Sequence, residues 1–228
     1  MTLLTSQLGG RLTPLRKTVF SACALFALPL YVSICQADDI EDVSVTKENG
    51  VYSLRVVAVL DAPADYVYDV ITDYKHAYRI NPTVTEVEIL SSDHDGVIRV
   101  RNVSEHWIGP FCIKVDWVGD IVEPRHGYLK VKTIPELSSF ESGSAIWELR
   151  PQGERTRVLH ESSLKPDFFM PPLIGDHIMK KQMQEDTLDT FNRIECYAKV
   201  MYEMDMENEP ELKNTILQEG KDCVNSQG

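Results

Sequence analysis

The segment 171–201 reads PPLIGDHIMKKQMQEDTLDTFNRIECYAKVM, and its interpretation decides the fold. Pro171 and Pro172 open it, where a missing N–H costs nothing, and Asp176 follows early, where the helix dipole favours an anion. Between Leu173 and Met201 there is no further proline and a single glycine, Gly175. The spacing predicts one helix of roughly 28 residues, about 40 Å long. At about 100° per residue, Leu173, His177, Gln184, Leu188, Phe191, Ala198 and Tyr202 share a face. That face is apolar towards its C-terminal end and mixed at its start, where His177, Lys181 and Gln184 interrupt it. A helix that only packs keeps its stripe apolar. One that closes a cavity packs with one half and lines a partly polar space with the other; solvated first turns are the alternative.

Upstream, Val51–Leu60 is rich in β-branched residues and ends at Asp61-Ala62-Pro63. Asp61 and Pro63 suit a helix start, and Val67, Tyr68, Val70 and Ile71 follow at helical spacing over 64–74. A short helical piece over 75–79 stops before Asn81-Pro82. Strands are then predicted over 84–90, 97–107, 111–122, 128–133, 140–150 and 155–164, separated by turn signals such as Ser91–Gly96 and the Pro151–Glu154 hairpin. The expected class is α+β: an antiparallel sheet of about seven strands and a long final helix, in the order β-α-α-β6-α.

That order resembles the helix-grip fold of the START-like (SRPBCC) superfamily. Leu54–Leu60, Asp61-Ala62-Pro63, Val67, Val70, Asp73 and Tyr74 resemble its polyketide cyclase/coenzyme Q-binding branch. So does the hairpin Trp147-Glu148-Leu149-Arg150-Pro151 with Gly153 and Thr156-Arg157-Val158. The resemblance covers about 51–199. It implies a curved sheet wrapped around the last helix, with a lipid, quinone or similar hydrophobic molecule held between them.

Ahead of this domain, Arg11, Arg16 and Lys17 precede an apolar run at 19–34 that contains Pro29 and ends in Cys35-Gln36-Ala37. This is the pattern of an export signal, and the run falls short of the roughly 20 residues of a membrane span. The domain organisation expected is a signal peptide at 1–37, a leader at 38–50, the helix-grip domain at 51–200 and an acidic tail at 201–228. The location expected is the periplasm or the exterior, with no stable membrane insertion after cleavage. The formal charge is −12, and removing the signal takes away three bases and no acid, leaving −15. Such a chain is repelled at long range by nucleic acid and by anionic lipid surfaces, and nucleic acid is not expected as a partner. Cys112, Cys196 and Cys223 remain in the mature chain. An oxidising compartment permits a Cys196–Cys223 bridge that staples the tail, and three unbridged thiols are the alternative.

No P-loop, dinucleotide fingerprint or zinc-protease motif is present, the histidines are scattered, and no cofactor or metal is expected. Asn102-Val103-Ser104 is a glycosylation pattern inside a predicted strand, and a weak signal. Phe111, Ile113, Val115 and Trp117 alternate towards one side, as do Ala145, Trp147 and Leu149. Trp117 and Trp147 are then either plain core or the shelf for a ligand. Arg101 shares a face with Val103 and Trp107, and His160 with Val158 and Leu164. Either these polar residues enter the cavity, or the arginines pair with carboxylates outside. The candidate ligand-binding set is therefore Arg101, Trp117, Trp147, His160, His177, Gln184 and Leu188. The function expected is a carrier of a hydrophobic small molecule. A protein-interaction module without ligand, or a cyclase- or hydrolase-like enzyme using His160 or His177 as acid or base, are the alternatives.

Overall fold

The computed structural model of the chain describes residues 39–92, 96–108, 111–168 and 175–207. Strand β1 (Asp39–Glu48) comes first and pairs antiparallel with β2 (Val51–Leu60). The leader expected at 38–50 is thus an edge strand, and the sheet has eight strands rather than seven. The reason is local. Asn49 and Gly50 have φ of 50° and 83°, the left-handed pair of a two-residue hairpin whose twist matches that of its strands. Ile40, Val43 and Val45 pack on the core. A bulge between Ile40 and Asp42 keeps Ile40 on the same side as the other two. The acidic residues face outwards, as suits an unpaired edge.

Helix α1 (Ala64–Thr72) buries Val67 and Ile71. Its N-cap is Pro63, without a side-chain cap. Asp61, expected there, instead places its carboxylate 2.7 Å from Lys199 Nζ. A 3-10 segment at Tyr74–Arg79 leads to β3 (Val84–Ser92), β4 (Val97–Ile108), β5 (Phe111–Arg125), β6 (Tyr128–Thr133), β7 (Phe140–Gln152) and β8 (Arg155–Pro166). Helix α2 (Gly175–Glu207) ends the described chain. It runs past 200 into the expected acidic tail because no proline interrupts it before Pro210.

The sheet order is β1-β2-β8-β7-β6-β5-β4-β3, antiparallel throughout. The meander from β3 to β8 is extended by β2, which lies beside β8. Register then decides which residues share the inner face. Val56 stands opposite His160, which stands opposite Trp147, which stands opposite Leu129. Leu54, Ser162, Ala145 and Val131 form the next row in the same way. The half of the sheet near β2 is apolar. Leu54, Val56, Ala58, Leu60, Leu129, Leu149 and Val158 enclose the core with Val67 and Ile71 of α1 and Phe191, Ile194 and Ala198 of α2. Burying this set is the main stabilising term of the domain. Glu195, 1% exposed, accepts the Asp61 backbone N–H at 3.2 Å and an ion pair from Lys199 at 3.3 Å. Burial raises its pKa, and the two partners hold α2 to the turn before α1.

Candidate functional site

The sheet and the first half of α2 do not close on each other. Between them lies a cavity of about 340 Å³. Ile113, Val115 and Trp117 of β5, Val131 of β6, Ala145 of β7 and Leu164 of β8 form its floor. Ile178, Met179, Gln182, Met183 and Asp186 of α2 cover it. Phe140 and Phe168, also in the lining, meet edge to face with ring centroids 6.2 Å apart. Trp117 donates its indole N–H to Thr133 Oγ1 at 2.9 Å, so its polar edge is satisfied while its ring lines the space.

Strand β4 supplies the polar wall. Asn102, Ser104 and His106 alternate onto the inner face and all line the cavity. Ser104 Oγ and His106 Nε2 are 3.0 Å apart, and His106 Nδ1 lies 3.6 Å from Asp186 Oδ2. Gln182 Nε2 donates to Asp186 Oδ1 at 2.7 Å. Burial raises the Asp186 pKa, opposed by the Gln182 hydrogen bond and by the charge of His106. Asn102 Oδ1 is buried with no hydrogen-bond partner among the described residues. No lysine or arginine lines the cavity among the described residues.

Of the expected ligand-binding residues, Trp117 alone lines this cavity. Arg101 lies on the outer face, with Nε 3.0 Å from Asp116 Oδ1 and a second pairing to Glu86. Arg99 makes the equivalent two-pronged pair with Asp120 at 2.7 and 2.9 Å. The alternative of outside ion pairs is therefore the one observed, because Asn102, Ser104 and His106 take the inner positions of β4. His160 and Trp147 are core neighbours rather than cavity residues. Their rings are 4.0 Å apart, and Trp147 stacks on Phe191 at 5.6 Å. His160 is 9% exposed and bonds through Nδ1 to the Ile146 carbonyl at 3.1 Å, and burial pushes its pKa down to about 4. Its place is in the core, where burial disfavours the imidazolium form.

His177 and Gln184 are exposed, and Leu188 is half-buried outside the core cluster. The inward residues of the first half of α2 lie about half a turn away from that face. Lining by one half of the helix and packing by the other is what the structure shows: Phe191 and Ala198 of the expected face pack in the core, while the lining half uses other side chains. Cys196 is disulfide-bonded. Its partner lies outside the described residues, as does Cys223. Cys112 is exposed and free.

An open antiparallel sheet gripping one long helix over an apolar cavity defines a helix-grip protein of the START type. Residues 60–193 match the family model described as polyketide cyclase / dehydrase and lipid transport, and the chain belongs to that family. Among solved structures it is similar to the Zhui aromatase/cyclase from Streptomyces, with a TM-score of 0.55 and 17% identity over 65% of this chain and 94% of that one. It is similar to a STAR-related lipid transfer protein from Xanthomonas axonopodis, with a TM-score of 0.53 and 16% identity over 69% and 98%. A START superfamily protein from Mycobacterium smegmatis has a TM-score of 0.53 and 14% identity over 65% and 98%. Comparison with curated proteins gives no match. Among the described residues, no helix is long and apolar enough to cross a membrane.

Proposed function

We propose that the protein binds a hydrophobic small molecule with a polar end in the space between sheet and α2, and carries it rather than transforming it. The observation behind this reading is the cavity itself, about 340 Å³ beneath the first half of a helix whose second half is packed into the core. Protein interiors ordinarily close such voids, because unfilled walls forfeit dispersion contacts. An apolar lining with a few placed polar groups is the usual character of a small-molecule site, and the volume falls within the usual range of about 300–1,000 Å³. The family description includes lipid transport, and one similar structure is a lipid transfer protein. Export with cleavage near Ala37 belongs to the same proposal. The disulfide bond at Cys196 supports it, since such bonds persist in oxidising compartments.

A second reading, a cyclase-like enzyme, is favoured by the position of His106 between Ser104 and Asp186 inside the cavity. It replaces His160, buried in the core, and His177, exposed, as the candidate acid or base. Native mass spectrometry of protein purified from its own compartment, followed by organic extraction, tests the carrier reading. The expected result is an unmodified hydrophobic compound bound to wild-type protein and absent from Ala145→Phe, which fills the cavity. Turnover of that compound, lost in His106→Ala, would move the conclusion to the second reading. A wild-type protein that carries nothing and takes up no hydrophobic probe counts against both.

A further inference from the structure

Among the described residues, one buried polar atom of the cavity wall has no hydrogen-bond partner. Asn102 Oδ1 is buried on the inner face of β4, and an unmatched buried acceptor is costly unless something donates to it. Two residues along the same face, Ser104 offers a hydroxyl already close to His106. Beyond it, Asp186 presents Oδ2 on the far side of His106, while its other oxygen is taken by Gln182. The wall is therefore rich in acceptors and holds no fixed cation among the described residues. His106, the histidine of this wall, already faces the Asp186 carboxylate.

That arrangement discriminates between head groups. A carboxylate or phosphate placed here would lose its hydration, meet Asp186 and find no lysine or arginine among the described lining residues. A hydroxyl can donate its hydrogen to Asn102 Oδ1 and accept one from Ser104 or His106. A methyl ether of the same shape offers no hydrogen and leaves Asn102 unmatched. We infer that the cavity selects an uncharged apolar molecule ending in a hydroxyl, in chemical class an alcohol or phenol, over fatty acids and other anionic lipids. The inference rests on the proposed binding role of the cavity and adds the identity of the head group.

The test is displacement of the neutral fluorescent probe N-phenyl-naphthylamine from the full mature chain by three compounds with one tail: para-hexylphenol, para-hexylanisole and para-hexylbenzoate. The expected order is phenol tightest, by about tenfold over the anisole, with the benzoate weakest, since one hydrogen bond to a buried group is worth about a factor of ten. Asn102→Leu should erase the phenol's advantage and leave anisole binding unchanged or improved. Equal binding of phenol and anisole by wild-type protein, or tightest binding of the benzoate, overturns the inference while leaving the binding role intact. Those two outcomes need no variant, so they hold even if Asn102→Leu does not fold. Failure of all three compounds and of the probe overturns the binding role itself, and the head-group selection with it.

Discussion

Gly119 makes room for the indole of Trp117. The two residues lie two apart on β5, and a Cβ built at Gly119 would stand 2.3 Å from Trp117 Cζ2 and 2.7 Å from Cη2. No side chain of any size fits there with the ring in place. The ring is kept where it lines the cavity and reaches Thr133 by the absence of a single methyl group. The first prediction follows directly. Gly119→Ala should cost about 1–3 kcal/mol, as over-packing does, and should displace the indole and weaken probe binding. In a Trp117→Leu background the same change should cost much less, which a double-mutant cycle in urea measures. Equal costs in the two backgrounds would remove the ring from the explanation.

The phase of α2 is open to an equally direct test. Phe191 is fully buried and stacked on Trp147, so Phe191→Ala should cost about 3–5 kcal/mol. Leu188 lies outside the core cluster, and Leu188→Ala should cost below about 1 kcal/mol. Gln184→Leu should change neither stability nor probe binding, whereas Gln182→Leu, which removes the partner of Asp186 Oδ1, should change binding. Urea midpoints and probe titrations of the four variants check the set. A large effect at Leu188 would return the expected face to the interior.

These residues also show which parts of the molecule are legible in its sequence. The strands from β2 to β8 and both helices are predictable because β-branched runs are punctuated by turn residues, and because one long stretch lacks proline. Strand β1 is missed because its acidic outer face masks an alternation of Ile40, Val43 and Val45, although Asn49-Gly50 is a strong hairpin signal. The site is harder to see, for a physical reason. Alternation identifies an inner face by its apolar members, but a cavity admits polar groups that a core excludes. On β4 the inward residues are Asn102, Ser104 and His106, and the outer row includes Arg99 and Arg101 beside buried Val103. On α2 the inward residues include Gln182 and Asp186, which a periodicity argument assigns to water. Local rules fail here because a cavity wall admits polar side chains that a packed core would exclude.

Export and the bond at Cys196 make a joint prediction. Strand β1 starts at Asp39, so cleavage near Ala37 leaves the sheet whole. N-terminal sequencing of the exported protein should begin within a few residues of Asp38. Peptide mapping without reductant should recover Cys196 joined to Cys223. Closing a loop of about 28 residues contributes roughly 3 kcal/mol in the chain-entropy model, so reduction should lower the melting temperature. A mature chain beginning at Met1, or both thiols alkylated in freshly isolated protein, counts against this assignment.

His160 predicts how stability responds to acid. Its ordinary pKa of 6.5 falls to about 4 in the folded protein because burial on β8, between β2 and β7 and against the Trp147 ring, disfavours the imidazolium, with the Ile146 carbonyl opposing the effect only in part. The unfolded chain therefore holds this proton more tightly than the folded one. By linkage, the stability contributed by the neutral ring is fully present above about pH 6.5 and declines as pH falls towards about 4, below which it is lost. Over that window the decline amounts to roughly 3 kcal/mol from this side chain alone. Carboxylates titrate in the same range, so wild-type protein by itself cannot isolate the effect. His160→Gln removes the proton site and retains an amide that can donate to the carbonyl. Urea unfolding between about pH 7.5 and pH 5 should show the wild type losing about 2 kcal/mol more than the variant. At neutral pH the variant should be the less stable of the two, because it gives up the ring's stacking on Trp147. Parallel pH profiles for the two proteins would mean that the folded protein accommodates the imidazolium, through rearrangement or entry of water, and that His160 is not held neutral by its surroundings.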